Sequence, residues 1–237
     1  MIQKALQYLV GLKENKTYEI DGKTYSDNLL HYIEEPIYRR NTVEFGSLDA
    51  IVKMIKTELP DYSGPVFVRI TNHKRVDVIT RPNKQENRMV PYTALCTDTE
   101  FREGWFEQDE AIIMLRSRFI PTEDSDYLIN LVSRINNDEG VRTEDNGVSQ
   151  TVVVKKGIQL AATEAVKPRL DLTPFRTFRE VPQPMSEFIL RLDDRGRIGL
   201  FEADGGMWKI EAKINIQTYL EKALMSEVES GSVVIMI

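Results

Sequence analysis

Val66-Phe67-Val68-Arg69-Ile70, followed after Thr71–Arg75 by Val76-Asp77-Val78-Ile79, is the stretch that decides the fold. Two runs rich in β-branched residues flank a short polar connection, which predicts an antiparallel hairpin. A second hairpin signal lies upstream, where Thr17-Tyr18-Glu19-Ile20 and Lys23-Thr24-Tyr25 meet across Asp21-Gly22. Asp-Gly supplies the positive φ angles of a tight turn. Before each hairpin the pattern is helical. Ile2, Ala5, Leu6, Leu9 and Val10 recur at helical spacing up to Gly11, and Ser47 followed by Ile51, Met54 and Ile55 reads as a capped helix stopped before Pro60. The expectation is an α+β fold, with mostly antiparallel sheets and interspersed helices. No matching residues turn the recurrence into a sequence repeat.

Further along, Tyr92 to Thr97 reads as a strand, and residues 106–119 and 122–137 read as two helices separated by Pro121. Thr122-Glu123-Asp124-Ser125 provides a cap and the early acidic residues that suit a helix start. Val141-Arg142-Thr143 and Gln150 to Val154 read as strands around an Asn146-Gly147 turn. Pro168, Pro174, Pro182 and Pro184 predict an extended edge or linker over 164–184. From Met207 to Ile216 the chain alternates: Trp208, Ile210, Ala212, Ile214 and Ile216 on one side, Lys209, Glu211, Lys213 and Asn215 on the other. That pattern predicts a strand with Trp208, Ile210 and Ile214 buried. A short helix from about Tyr219 to Met225 leads to Val233-Val234-Ile235-Met236-Ile237, an apolar strand expected to pair in a sheet or with another subunit. Residues 1–237 are read as one compact unit, with a candidate subdivision near residue 100.

From about residue 106 onward, two helices lead into strands, then Pro182-Gln183-Pro184-Met185-Ser186-Glu187-Phe188, then Asp204-Gly205-Gly206-Met207-Trp208-Lys209-Ile210-Glu211-Ala212-Lys213. That order resembles the YfdQ-like proteins of bacteriophages and prophages, over a little over half of the chain. The resemblance implies a phage-encoded protein made in the bacterial cytoplasm. It implies no active-site residue.

At 237 residues, with 41% hydrophobic and 29% charged residues, the chain can bury a core without metals or disulfides. One cysteine, Cys96, excludes an intramolecular disulfide and suits a reducing compartment. The opening residues lack the charged-then-apolar pattern of a signal peptide, and no segment has the roughly 20 apolar residues of a membrane span. The expected location is the cytoplasm of a bacterial host cell, with no membrane partner. Net charge is −6, concentrated in residues 98–150, which carry 5 Lys+Arg against 13 Asp+Glu. A protein that coats nucleic acid needs a basic excess, so nucleic-acid binding would have to use a local patch.

One such patch exists. Arg69, Lys74, Arg75, Arg81, Lys84 and Arg88 stand against Asp77 and Glu86, with His73-Lys74-Arg75 at the predicted hairpin tip. A protruding basic tip would suit phosphates or an acidic partner surface, but the favoured reading of the same residues is a solvated turn that guards a sheet edge. His31 and His73 have no second ligand at metal spacing, and Cys96 has no basic neighbour to activate it. Gly-rich phosphate loops and nucleophile elbows are absent. Acidic pairs such as Glu123-Asp124 and Asp193-Asp194 fall at helix starts and turns, where carboxylates have structural roles.

The expected function is a non-enzymatic, phage-encoded accessory protein that works by protein association with a bacterial or phage protein and self-assembles as a homo-oligomer, without a cofactor. The alternative is a nucleic-acid-associated factor for phage replication or recombination, with Arg69, His73, Lys74, Arg75, Arg81, Lys84 and Arg88 as contacts. A metal-dependent hydrolase built from scattered carboxylates is the third reading.

Overall fold

The computed structural model describes residues 2–4, 16–26, 41–62, 64–82, 88–98, 101–136, 141–145, 150–156, 159–193 and 195–237. The chain divides into two units, Met1–Arg40 and Asn41–Ile237. In the first, β1 (Thr17–Ile20) and β2 (Lys23–Ser26) pair antiparallel about Asp21-Gly22. The φ angles there, 53° and 73°, are the left-handed pair an Asp-Gly turn supplies. Residues 2–4 are helical; the rest of the predicted opening helix lies outside the described residues.

Among the described residues the second unit holds two hydrophobic cores, each built on a five-stranded sheet. The first sheet contains β3 (Val43–Phe45), β4 (Val66–Asn72), β5 (Arg75–Ile79), β6 (Tyr92–Leu95) and β15 (Val233–Met236), in the order β15-β4-β5-β6-β3. β4, β5 and β6 run antiparallel, whereas β15 joins β4 and β3 joins β6 in parallel. The hairpin at 66–79 and the paired strand at 233–236 are therefore as expected. Val66, Val68, Ile70, Val76, Val78 and Val233 form one apolar face, because alternate residues of a strand share a side. Two helices cover it. α1 (Leu48–Glu58) contributes Leu48, Ile51 and Ile55, and its Ser47 cap accepts from the Ala50 N–H at 3.2 Å. The long helix near the C-terminus, described below, contributes Ile216 and Leu220, and Leu224 follows directly after it.

The second core packs α2 (Gln108–Arg118) and α3 (Glu123–Asn136) against an antiparallel sheet. That sheet comprises β7 (Gly104–Phe106), β8 (Phe119–Ile120), β12 (Arg169–Pro174), β13 (Ser186–Leu192) and β14 (Ile198–Glu202), ordered β7-β14-β13-β12-β8. Thr122 and Ser125 cap α3 reciprocally: the Ser125 N–H donates to Thr122 Oγ1 and the Thr122 N–H to Ser125 Oγ. A three-stranded antiparallel sheet, β11-β10-β9, comprises β9 (Val141–Asp145), β10 (Gln150–Lys156) and β11 (Gln159–Val166). Buried Gln150 ties it to β13 through both halves of its amide, one donating to the Leu192 carbonyl and one accepting from the Leu192 N–H.

Two expectations are overturned. The proline-rich stretch is not all edge or linker: Arg169–Pro174 is β12, paired with β13 on one side and β8 on the other. Pro168 and Pro174 bracket the strand, so its interior keeps its N–H donors. The alternating segment 207–216 is not a strand. It opens a helix, α4 (Trp208–Ala223), followed by α5 (Met225–Glu229). Trp208 is buried as expected, but Ile210 and Ile214 are exposed. Trp208, Ala212, Ile216 and Leu220, each four apart, form the stripe that meets the core.

A helix and a strand make opposite demands on neighbouring isoleucines, and mutation separates them. Ile216→Ala should destabilise the fold by about 2–5 kcal/mol. Ile214→Ala should stay within about 0.5 kcal/mol of wild type in chemical denaturation. Equal losses at both positions would restore the strand.

Candidate functional site

The site begins with Asp204-Gly205-Gly206, the turn between β14 and α4. Gly205 and Gly206 have φ of 63° and 82°, two consecutive left-handed residues that a side chain would strain. Asp204 closes the turn by accepting from the Gly206 N–H at 3.0 Å and the Trp208 N–H at 3.1 Å. Ser186 at the start of β13 donates its hydroxyl to the same carboxylate at 2.9 Å. Burial alone would raise the Asp204 pKa; these hydrogen bonds and the Arg176 charge outweigh burial and hold it below the usual carboxylate value.

Arg176 follows β12 and is 1% exposed. Its Nη1 donates to Glu202 Oε1 at 2.8 Å, and its Nη2 to the Ser186 hydroxyl and, at 3.4 Å, the Pro184 carbonyl. Its guanidinium lies 4.1 Å from the Trp208 ring centroid. Trp208 in turn donates its indole N–H to Glu202 Oε2 at 3.1 Å. One carboxylate thus holds both the cation and the ring that the cation stacks on. Gln183 organises the loop that carries Arg176, accepting from the Arg176 and Thr177 N–H groups and donating to the Phe178 and Val181 carbonyls.

Above this network lies an open groove of about 390 Å3. Met185, Met207, Ile210 and Ile214 line it and are 53%, 62%, 54% and 49% exposed. Ser186, Asp204 and Trp208 form its base, and Glu187 and Glu211 complete the lining. Met207, Ile210 and Ile214 are spaced three and four apart, so they make a second apolar stripe on α4, turned away from the core. These two stripes, interleaved in sequence, produce the alternation that resembles a strand. The helical signal was legible in the two sets of spacings and in the Asp-Gly-Gly start; Met185 and Arg176 carried no local signal.

The predicted basic residues are largely engaged. Arg69 and Arg75 both pair with Asp77, at 3.1 and 2.9 Å, on the sheet face opposite the first core. Asp77 is buried and also accepts from the Thr71 and Thr93 hydroxyls. Burial opposes its ionisation, but the Thr93, Thr71, Arg69 and Arg75 donors prevail and depress its pKa. The hairpin turn does not protrude. The His73 ring meets Trp208 edge-on at 4.7 Å, its carbonyl accepts from the Thr177 hydroxyl, and Lys74 Nζ donates to the Asp98 carbonyl at 2.7 Å. Arg88 stacks on Phe67 and donates to the Thr80 carbonyl; Arg81 lies beside Gly64. Arg69, Arg75 and Arg88 therefore cluster near β4 and β5, while His73 belongs to the Trp208 network. Lys84, like His31, lies outside the described residues.

The network's chemistry is positional. Ser186 donates to Asp204 and accepts from Arg176, and it is buried, so its hydroxyl ties the start of β13 to both. Burial pushes the Cys96 thiol up, away from thiolate reactivity. Among the described residues no three His, Cys, Asp or Glu side chains converge as a metal site. None of the described helices is long and apolar enough to cross a membrane.

Because Asp77 and Asp204 titrate below the ordinary value of 3.8 in the folded state, they stabilise the fold at higher pH. That contribution is complete above about pH 5 and is lost as pH falls through 3.8 and below. Denaturant titrations from neutral to acid pH should show a shallower acid limb for Asp204→Asn than for wild type; an identical limb would contradict this role. Glu202→Ala strips the buried Arg176 of its counter-charge and should cost about 3 kcal/mol.

No family model, curated protein or solved structure matches this chain.

Proposed function

We propose that the protein is a non-enzymatic accessory factor that works by protein association, through the outward stripe of α4. The observation carrying this reading is that α4 is apolar on two sides and buries only one. A surface helix ordinarily pairs its apolar stripe with a polar opposite face, and clustered exposed apolar side chains mark interaction sites. The network beneath holds α4 in a fixed orientation, which lowers the ordering cost of binding. The bacteriophage setting and a cytoplasmic location come into this proposal from the YfdQ-like sequence order.

Self-assembly is the second part of the proposal and uses a different surface. Among the described residues β15 is an edge strand; it carries no charged residue, and Val234, Met236 and the following Ile237 are exposed. Uncharged edges of this kind pair with further strands. The nucleic-acid alternative ranks behind, since Arg69, Arg75 and Lys74 already have partners within the fold.

Bacterial extract passed over immobilised protein should yield a partner that wild type retains and Ile210→Ser/Ile214→Ser does not, with both proteins equally folded by circular dichroism. An unchanged set of retained proteins would refute association through α4. Light scattering across micromolar concentrations should show a mass above the monomer that Val234→Lys lowers; a strict monomer would remove the self-assembly part.

A further inference from the structure

The chemistry of the groove specifies its occupant further, on the basis of the association reading above. We infer that it takes an amphipathic helix of a partner protein, apolar on one stripe and flanked by Lys or Arg. The α4 side of the groove spans Met207 to Ile214, about 10 Å or two helical turns at 1.5 Å per residue, so it matches partner residues at i, i+3 or i+4, and i+7. Two of its four exposed apolar side chains are methionines, whose flexible thioethers adapt to the irregular surface of an incoming helix. Side chains make this surface; α4 satisfies its own backbone, so an added strand would find no sheet edge to pair with here.

The charges at the rim select the sign of the partner. Glu211 lies on the groove side of α4 and makes no ion pair among the described residues. Glu187, across the groove, shares its carboxylate with Arg169 at 2.7 Å and is 37% exposed. Lys209 and Lys213 lie about 160° around the helix from Glu211, so among the described residues Glu211 is the lining carboxylate without a cation beside it. A second copy of the chain fits poorly. A two-fold contact centred on Met207, Ile210 and Ile214 would bring Glu211 beside its own copy, and like charges juxtaposed at an interface oppose association. A basic partner helix meets the same carboxylates with complementary charge.

The probe is a synthetic amphipathic peptide of Leu and Lys, roughly 14 residues or four turns long, compared with the same pattern of Leu and Glu. Fluorescence anisotropy with the full chain should show the Lys peptide binding at least about tenfold more tightly than the Glu peptide. Ile210→Ser/Ile214→Ser should weaken the Lys peptide about tenfold or more, as loss of central anchors does. Glu211→Lys should narrow or reverse the preference between the two peptides. Equal affinity for both peptides, or a Lys peptide indifferent to the isoleucine variants, would overturn the inference. If extract capture still depends on Ile210 and Ile214 in that event, this occupant is wrong and association through α4 stands; if neither depends on them, both fall.

Discussion

The indole of Trp208 is held from several directions, and the position of α4 depends on it. Arg176 stacks on its face, His73 meets it edge-on, Glu202 accepts its N–H, and Asp204 accepts from its backbone. These partners come from the β4–β5 turn, the loop after β12 and the end of β14, so the residue joins elements of both cores. Once Trp208 is fixed as the first residue of α4, helical geometry dictates the remainder. Ala212, Ile216 and Leu220 must follow it into the core, and Met207, Ile210 and Ile214 must face away.

A buried arginine at that junction has energetic consequences. Desolvating a guanidinium is costly, and neither one ion pair nor one stacking contact offsets it alone. Here Glu202, Ser186, Pro184 and the Trp208 ring act on the same group, and Asp204 adds its field. Such an arrangement contributes geometric definition more than net stability, since apolar residues of similar volume commonly do as well. Definition is what a docking surface uses: a pre-positioned helix binds with less ordering cost than a mobile one.

Much of this was legible in the chain. The 66–79 and 17–25 hairpins, the Ser47 and Thr122 caps and the paired terminal strand follow from local chemistry, namely β-branched runs, an Asp-Gly turn and hydroxyl caps. Residues 207–216 misled because an apolar residue at every second position satisfies a strand and also a helix with two apolar stripes. Burial normally decides between these, and burial is a tertiary property; Ala212 and Leu220 at four-residue steps were the local clue. The basic cluster was legible as composition but not as geometry. Nothing in Arg69-to-Arg88 announces that Asp77 would be buried between two arginines, or that the turn would dock on Trp208 and Asp98. Arg176 and Trp208 are 32 positions apart, beyond the reach of any periodicity.

The strand-like alternation of residues 207–216 and the exposed groove thus have a common origin in the second apolar stripe of α4. It conceals the helix in the sequence and leaves a groove on the surface. Methyl NMR with a soluble paramagnetic agent measures that stripe directly, through the Ile210, Ile214 and Ile216 side chains of one protein under one condition. The account predicts strong broadening of the Ile210 and Ile214 methyl signals with Ile216 protected. Equal protection of all three would mean that the alternating residues share one buried face, and both the helix and its docking stripe would be refuted.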